Sequence, residues 1–393
     1  MIRSLVAAIC LMCGATLAAA QSYETRAGAA YVLDQSTGTV LLEKNGNEPL
    51  PPASMSKIMT LYMAFEAIAD GRLQLDERLP VSEYAQSLGG STMFLDTTDR
   101  PTVEELIRGI IVLSGNDACV VIAEALSPDG TEAGFARMMT ERGREMGLTH
   151  SVFINSTGWP APGHVMSMHD LAVVADRLIT DFPTFYPLFA EEEFAFDGRA
   201  PQNTRNRNPV LGLGIGADGL KTGHTQEAGY GLVGSAKQGD RRIIFVITGL
   251  ETQADRAEES ERIINWAFRQ FVERRIAPAG SRIAEADIWM GAAPRVGLTV
   301  PDDLTLLVSA IGTASLDAEV IYTGPVEAPI AAGQEIAELV IRREGLPEVR
   351  RPLVAEAEVP RGGFSQRMRT AAVVLLGKIA PQADLSALPG LDS

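Results

Sequence analysis

The sequence predicts an α/β (α+β) domain, an antiparallel sheet carrying a helical insertion, followed by a small C-terminal all-β domain. Three observations predict it. Strand-like runs occur at 29–44 and return at 229–248, bracketing a long stretch of helical periodicity. After about residue 275 the pattern changes to short β-like runs broken by Gly and Pro. The chain is 393 residues long, 46% hydrophobic and 21% charged, which is globular composition and room for two or three domains. A formal net charge of −16 argues against a nucleic-acid binder, because phosphate recognition needs a basic face.

Residues 1–20 read as a signal peptide: Arg3, an uncharged apolar run from Leu5 to Leu17, then Ala18-Ala19-Ala20 as the cleavage site before Gln21. The run is too short for an ordinary membrane span. Cys10 and Cys13 fall inside this segment, so their CxxC spacing is not read as redox chemistry. Only Cys119 remains in the mature chain; no intramolecular disulfide is possible, and burial is expected for the thiol.

The catalytic domain is expected over 21–274. AAYVLD (29–34) and TVLLEK (39–44) form a hairpin around Gln35 to Gly38, and Pro51-Pro52 ends the extended run. From Met55 to Ala69, Ile58, Leu61, Tyr62, Phe65 and Ile68 recur at helical spacing. Thr102 with Glu105 reads as a capping box. Helices are expected at 117–126, 131–146 and 168–180, the last capped by Ser167 with Asp170. Pro183, Pro187, Pro201 and Pro209 mark a long irregular segment. Strands at 229–236 and 242–248 join through Gln238-Gly239-Asp240, and a helix at about 256–272 buries Ile263, Ile264, Ala267 and Phe271. The β domain is expected over 275–360, with runs at 286–290, 304–310, 318–323, 336–342 and 353–358.

Three short motifs carry the chemistry. Ser54-Met55-Ser56-Lys57 lies where the Pro-rich stretch enters a helix. Positions i and i+3 share a helix face, so the Ser54 hydroxyl and Lys57 amine can meet. The helix N-terminus favours a developing alkoxide on Ser54. Serine needs an adjacent base to act as a nucleophile, and a lysine serves only if burial and neighbouring charge lower its pKa. Ser114-Gly115-Asn116 falls at a break between helical runs, and Lys221-Thr222-Gly223 precedes the returning strands. Each motif is weak alone; their order along the chain and the elements that carry them give the set its weight.

The set resembles the penicillin-recognising serine acyl-enzymes, whose S-x-x-K, S-D-N and K-T-G motifs occur in that order. PPASMSKIMT, LSGNDACVVIAEAL, FINSTGW and DGLKTGHTQEAGYGLVGSA are similar to the low-molecular-mass penicillin-binding proteins that are serine-type D-alanyl-D-alanine carboxypeptidases. The resemblance runs from about 27 to 272 and more weakly through the β domain. It implies a β-lactamase/transpeptidase-like catalytic fold. It also implies Ser54 as nucleophile, Lys57 as proton acceptor and Ser114 as relay to the leaving group. Asn116 would bind the substrate's peptide carbonyl, Lys221 would add positive charge, and Thr222 would bind the terminal carboxylate. The backbone N–H groups of Ser54 and His224 would form the oxyanion hole. The implied partners are the D-Ala-D-Ala end of peptidoglycan stem peptides and β-lactams; no metal or organic cofactor is called for. A D,D-endopeptidase or a catalytically idle penicillin-binding scaffold would share the motifs. The chain departs from some relatives after the strand that follows K-T-G. Gly249 is followed by Leu250 and Glu251 rather than a basic residue, and Arg256, the nearest cation, is read as a solvated helix residue.

Other signals are set aside. Gly214 to Gly219 matches G-x-G-x-x-G but lacks a preceding strand and a following helix. His164 and His169 lack a third metal ligand and a common helix face, and there is no G-x-S-x-G elbow. Asn155-Ser156-Thr157 is a glycosylation sequon that an exported bacterial protein need not use. Residues 361–380 carry Arg361, Arg367, Arg369 and Lys378 without an acid, with Phe364, Met368, Ala371, Leu375 and Ile379 at helical spacing. The tail 361–393 is therefore expected to lie as a basic amphipathic helix on the outer surface of the cytoplasmic membrane, a placement the resemblance also implies, and the protein is expected to be periplasmic.

Overall fold

The computed structural model describes residues 23–200, 202–310, 316–343, 345–364 and 368. The expected signal peptide and nearly all of the expected amphipathic tail lie outside them. β1 (Ala29–Asp34) and β2 (Thr39–Lys44) form the hairpin. Asp34 closes its turn by accepting from the Thr37 backbone N–H at 3.0 Å and hydroxyl at 2.8 Å. A single 3-10 turn, Ala53–Ser56, runs into α1 (Lys57–Ala69), buried along almost its whole length.

The helical insertion follows. α2 (Glu83–Ser87) is capped by the Ser82 hydroxyl. α3 (Val103–Arg108) opens on the Thr102–Glu105 capping box, which satisfies two N-terminal donors reciprocally. It continues into a π-helical turn, Gly109–Leu113, that ends at Ser114 in the left-handed region, φ 63°. α4 (Asn116–Leu126), α5 (Glu132–Glu145) and α6 (Met168–Asp181) complete the block, and Ser167 caps α6 through the Asp170 N–H as expected. Phe185 stacks on Phe65, and a 3-10 turn spans Tyr186–Ala190.

β3 (Ala217–Thr225), β4 (Gly229–Gln238) and β5 (Arg241–Leu250) return the chain to the sheet, whose order is β2-β1-β5-β4-β3, antiparallel throughout. The two strand groups therefore pair in one sheet, with K-T-G inside its edge strand. α7 (Gln253–Gln270) covers the outer face. Along β5, Ile244 and Val246 join the core under the helical block, whereas Ile243, Phe245 and Ile247 pack with Val32, Ile263 and Ile264 against α7. This alternation puts a helical layer on each face. Phe271, expected on that helix, instead opens the next strand. Its ring meets Trp266 edge-on at 5.3 Å and its carbonyl accepts from Arg241 at 2.7 Å. Arg241 also donates to buried Asp34, tying the hairpin to the domain junction.

The C-terminal region is all β. β6 (Phe271–Ala277) pairs with β9 (Leu304–Ser309). β7 (Arg282–Trp289), β8 (Arg295–Thr299), β10 (Leu316–Ile321), β11 (Val326–Glu327), β12 (Glu335–Arg343) and β13 (Leu346–Ala355) form a sheet ordered β10-β12-β13-β8-β7-β11. Leu306 and Val308 pack with Leu339, Ile341 and Leu353 in its core. Among the described residues no helix is long and apolar enough to cross a membrane.

Candidate active site

The three motifs converge. Ser54 sits in the 3-10 turn and Lys57 starts α1, so one turn of helix brings the Lys57 amine 2.8 Å from the Ser54 hydroxyl. The amine also donates to the Thr157 carbonyl at 2.6 Å, which fixes its direction. Lys57 is completely buried, and burial lowers its pKa from 10.5 to about 8. Cys119, Glu132 and Asp117 act the other way, whereas the Arg207 charge lowers it further. Taking an ammonium out of water disfavours its charged form, so the geometry and the chemistry of a base agree.

The carbonyl that orients Lys57 belongs to the FINSTGW segment, which the sequence marks as part of the resemblance without a role at the site. Asn155, the sequon residue, accepts with Oδ1 from the N–H groups of Thr157, Gly158 and Trp159 and donates to the Trp159 carbonyl. Buried Glu132 holds the next residue, accepting from Ser156 N–H at 2.9 Å and its hydroxyl at 2.6 Å, while Thr60 donates to the Ser156 carbonyl. Gly158 has φ 77°, and a Cβ there would lie 1.8 Å from the Ala53 carbonyl oxygen, so only glycine lets the loop lie against the Ser54 turn.

β3 closes the other side. A Cβ on Gly223 would meet Met55 Cγ at 2.9 Å, the Pro52 carbonyl at 3.1 Å and Ala53 Cβ at 3.2 Å. The glycine of K-T-G thus lets the edge strand press against the nucleophile turn. Lys221 is buried and donates to the Thr222 carbonyl at 3.3 Å; burial, then the charges of Lys57 and Arg207, push its pKa well below 10.5. Thr222 is buried beside it, while His224 is exposed and stacks on Tyr230 with centroids 3.9 Å apart.

Ser114 is buried, and its left-handed backbone turns the chain sharply into α4. Its hydroxyl makes no hydrogen bond with a described residue, and the Lys57 amine is bonded to Ser54 and Thr157 instead. The Asn116 amide donates to the Gly89 carbonyl at 2.8 Å, tying the second motif to the loop before α3. Asp117 receives the Met93 and Leu95 N–H groups and pins the same loop.

Two arginines join the site. Arg256 is 4% exposed, not solvated as the sequence suggested. It lies over the Tyr230 ring at 5.7 Å and donates to the Arg207 carbonyl at 3.2 Å; its Nε is buried without a partner. Burial lowers its pKa to about 10. Arg207 donates to the Ser91 hydroxyl at 2.5 Å. Both arginines lower the pKa of Lys221, so three basic side chains, Lys221, Arg207 and Arg256, gather on one side of the site. An unpaired buried guanidinium nitrogen beside them fits an anion. Arg207 lies in the irregular segment and carries no motif that would have marked it.

The signals set aside resolve as follows. The Gly214 to Gly219 run leads into β3 with no helix after it. Cys119 is buried, its thiol pushed up to about 12 by burial. Among the described residues no group of three or more His, Cys, Asp or Glu is placed to hold a metal.

Comparison with known proteins gives consistent matches. A family model for D-alanyl-D-alanine carboxypeptidase matches residues 15–252, and one for the C-terminal domain of penicillin-binding protein 5 matches 271–361. D-alanyl-D-alanine carboxypeptidase DacF of Bacillus subtilis is 32% identical over 86% of this chain and 87% of its own length. DacC of Escherichia coli is 33% identical over 86% and 85%. The crystal structure of penicillin-binding protein 5 from Haemophilus influenzae superposes with a TM-score of 0.73 at 29% identity, covering 86% of this chain and 99% of that one. Penicillin-binding protein D2 from Listeria monocytogenes in its ampicillin-bound form matches 62% of this chain and 98% of its own, at 28% identity and a TM-score of 0.56.

Proposed function

The chain belongs to the D-alanyl-D-alanine carboxypeptidase family, and from that premise we propose that it releases the terminal D-Ala of peptidoglycan pentapeptide stems through an acyl-enzyme on Ser54. The observation that carries the reading is the Lys57 amine, buried and 2.8 Å from the Ser54 hydroxyl. Lys57 takes the hydroxyl proton as Ser54 Oγ attacks the carbonyl carbon of the penultimate D-Ala. The Ser54 and His224 N–H groups receive the oxyanion, a role supported by β3 being an edge strand pressed against the Ser54 turn at Gly223. The C–N bond breaks, the leaving amine gains a proton through Ser114, and water hydrolyses the ester. Asn116 binds the peptide carbonyl with the amide hydrogen that Gly89 does not take. Thr222 and Lys221, with Arg207 and Arg256, hold the terminal carboxylate; the unpaired Arg256 Nε supports that assignment.

A β-lactam presents the same carboxylate and carbonyl and acylates Ser54, leaving an ester that hydrolyses slowly. The ampicillin-bound relative supports this reading. We place the protein in the periplasm, held to the membrane surface by residues 361–393, with a role in cell-wall biogenesis and cell shape. These rest on the sequence of the two termini and the family resemblance.

The test is release of free D-Ala from diacetyl-L-Lys-D-Ala-D-Ala, expected for the wild type and absent in Ser54→Ala. Cleavage of cross-linked muropeptides without D-Ala release would favour the endopeptidase reading, and inactivity on both the idle scaffold.

A further inference from the structure

A cleft of about 300 Å³ opens beside the nucleophile turn, and it shares Ala53 and Thr225 with the site. Its walls are Pro51, Pro52, Trp159 and Pro160, with His164 and Glu227. The Trp159 side chain is half exposed, and Gly90 packs so closely on it that an added Cβ would lie 2.6 Å from the ring. Glu227 lies in the β3–β4 turn, exposed, and makes no hydrogen bond or ion pair with a described residue. It is the one carboxylate among the lining residues.

The position of the cleft decides what it meets. Lys221, Arg207 and Arg256 collect at the side of Ser54 that takes the terminal carboxylate. A peptide bound there with its scissile carbonyl at Ser54 runs its preceding residues the opposite way along β3, past His224 and Thr225. The residue before D-Ala-D-Ala then delivers its side chain to this cleft. Proline and indole surfaces suit an aliphatic stem, and a single unpaired carboxylate at the rim suits a cation at its tip. His164 adds no competing charge: burial and the Lys57 charge lower its pKa to about 4, and its Nε2 is buried without a partner.

We propose that this cleft is a subsite for the diamino acid of the stem peptide, with Glu227 pairing the free ω-ammonium group and Trp159 covering its methylene chain. The inference rests on the carboxypeptidase reading and deepens it. It explains why an acid stands unpartnered at the end of β3 while the opposite end of the site is cationic.

The test compares kcat/KM for D-Ala release from three peptides ending in D-Ala-D-Ala. One carries diacetyl-L-lysine, one Nα-acetyl-L-lysine with its ε-amine free, and one diaminopimelate with its ω-amine free. The wild type should prefer either free-amine peptide over the diacetyl one by about fivefold, the upper end for an exposed ion pair, chiefly through KM. In Glu227→Gln the ratio should fall to about one, and in Glu227→Lys below one. Glu261→Gln, on the exposed side of α7, should keep the wild-type ratio. Preference for the lysyl or the diaminopimelyl peptide identifies the source, and either supports the subsite. Equal turnover of all three by the wild type, or an unchanged ratio in Glu227→Gln, overturns the subsite and leaves the carboxypeptidase reading standing. Release from none of them overturns both.

Discussion

The rate of Ser54 acylation by a penicillin should rise with pH to a plateau beginning at about pH 8. The structure supplies the magnitude. Burial lowers Lys57 from 10.5 to about 8. At pH 7 about one amine in ten is then neutral, against about one in three thousand for an unperturbed lysine, a gain of roughly 300-fold in competent base. Below the plateau the logarithm of the rate should climb with a slope of about one, because each neutral amine requires the loss of one proton. Arg207 is a cation that lowers this pKa, so Arg207→Gln should move the break to higher pH, whatever it does to carboxylate binding. The assay is stopped-flow labelling with a fluorescent penicillin from about pH 6 to pH 10. A flat profile across that range, or a break at the ordinary lysine value, would refute the argument that a neutral buried amine activates the hydroxyl.

Other perturbations follow from the same contacts. Gly223→Ala should cut acylation by about a hundredfold while costing about 1–3 kcal/mol of stability by denaturant unfolding, because its Cβ pushes β3 from the Ser54 turn. Glu132→Ala should lower stability by about 2–4 kcal/mol, leaving Ser156 and the Tyr84 hydroxyl without their acceptor, and should slow acylation by releasing the carbonyl that orients Lys57. His164 is held neutral, its folded pKa of about 4 lying below the ordinary 6.5; the unfolded chain takes up the proton first. Stability should therefore fall by about 3 kcal/mol as pH drops from 6.5 to 4, and His164→Phe should remove that part of the slope in thermal melts. Deleting 361–393 should move the protein from the membrane to the soluble fraction with D-Ala release retained; continued sedimentation with membranes would refute the anchor.

Much of the scaffold is legible where a local rule acts alone. The β1–β2 hairpin, the Thr102–Glu105 box and the Ser167 cap each rest on residues within a few positions of one another. Ser54 and Lys57 are one helical turn apart, so their meeting also follows from local geometry. What escaped depends on distant partners. Arg207 and Arg256 become site residues only because an irregular segment crosses the end of α7 beside Lys221. Thr157 acts through its carbonyl, which no side-chain pattern reveals. β3 carries Gly, Lys and Thr rather than an apolar run, because it is an edge strand that faces a polar cleft. The helix expected to about residue 272 overruns α7 by Phe271 and Val272, the first two residues of β6: that strand is largely exposed and pairs with β9, so helical spacing runs on through Phe271 unopposed by any alternation.

The most direct measurement is peptide mapping of the penicillin-labelled protein by mass spectrometry. The account predicts one adduct, on Ser54, lost in Ser54→Ala and formed about a thousandfold more slowly in Lys57→Ala. An adduct on another residue, or undiminished labelling of Ser54→Ala, would contradict it.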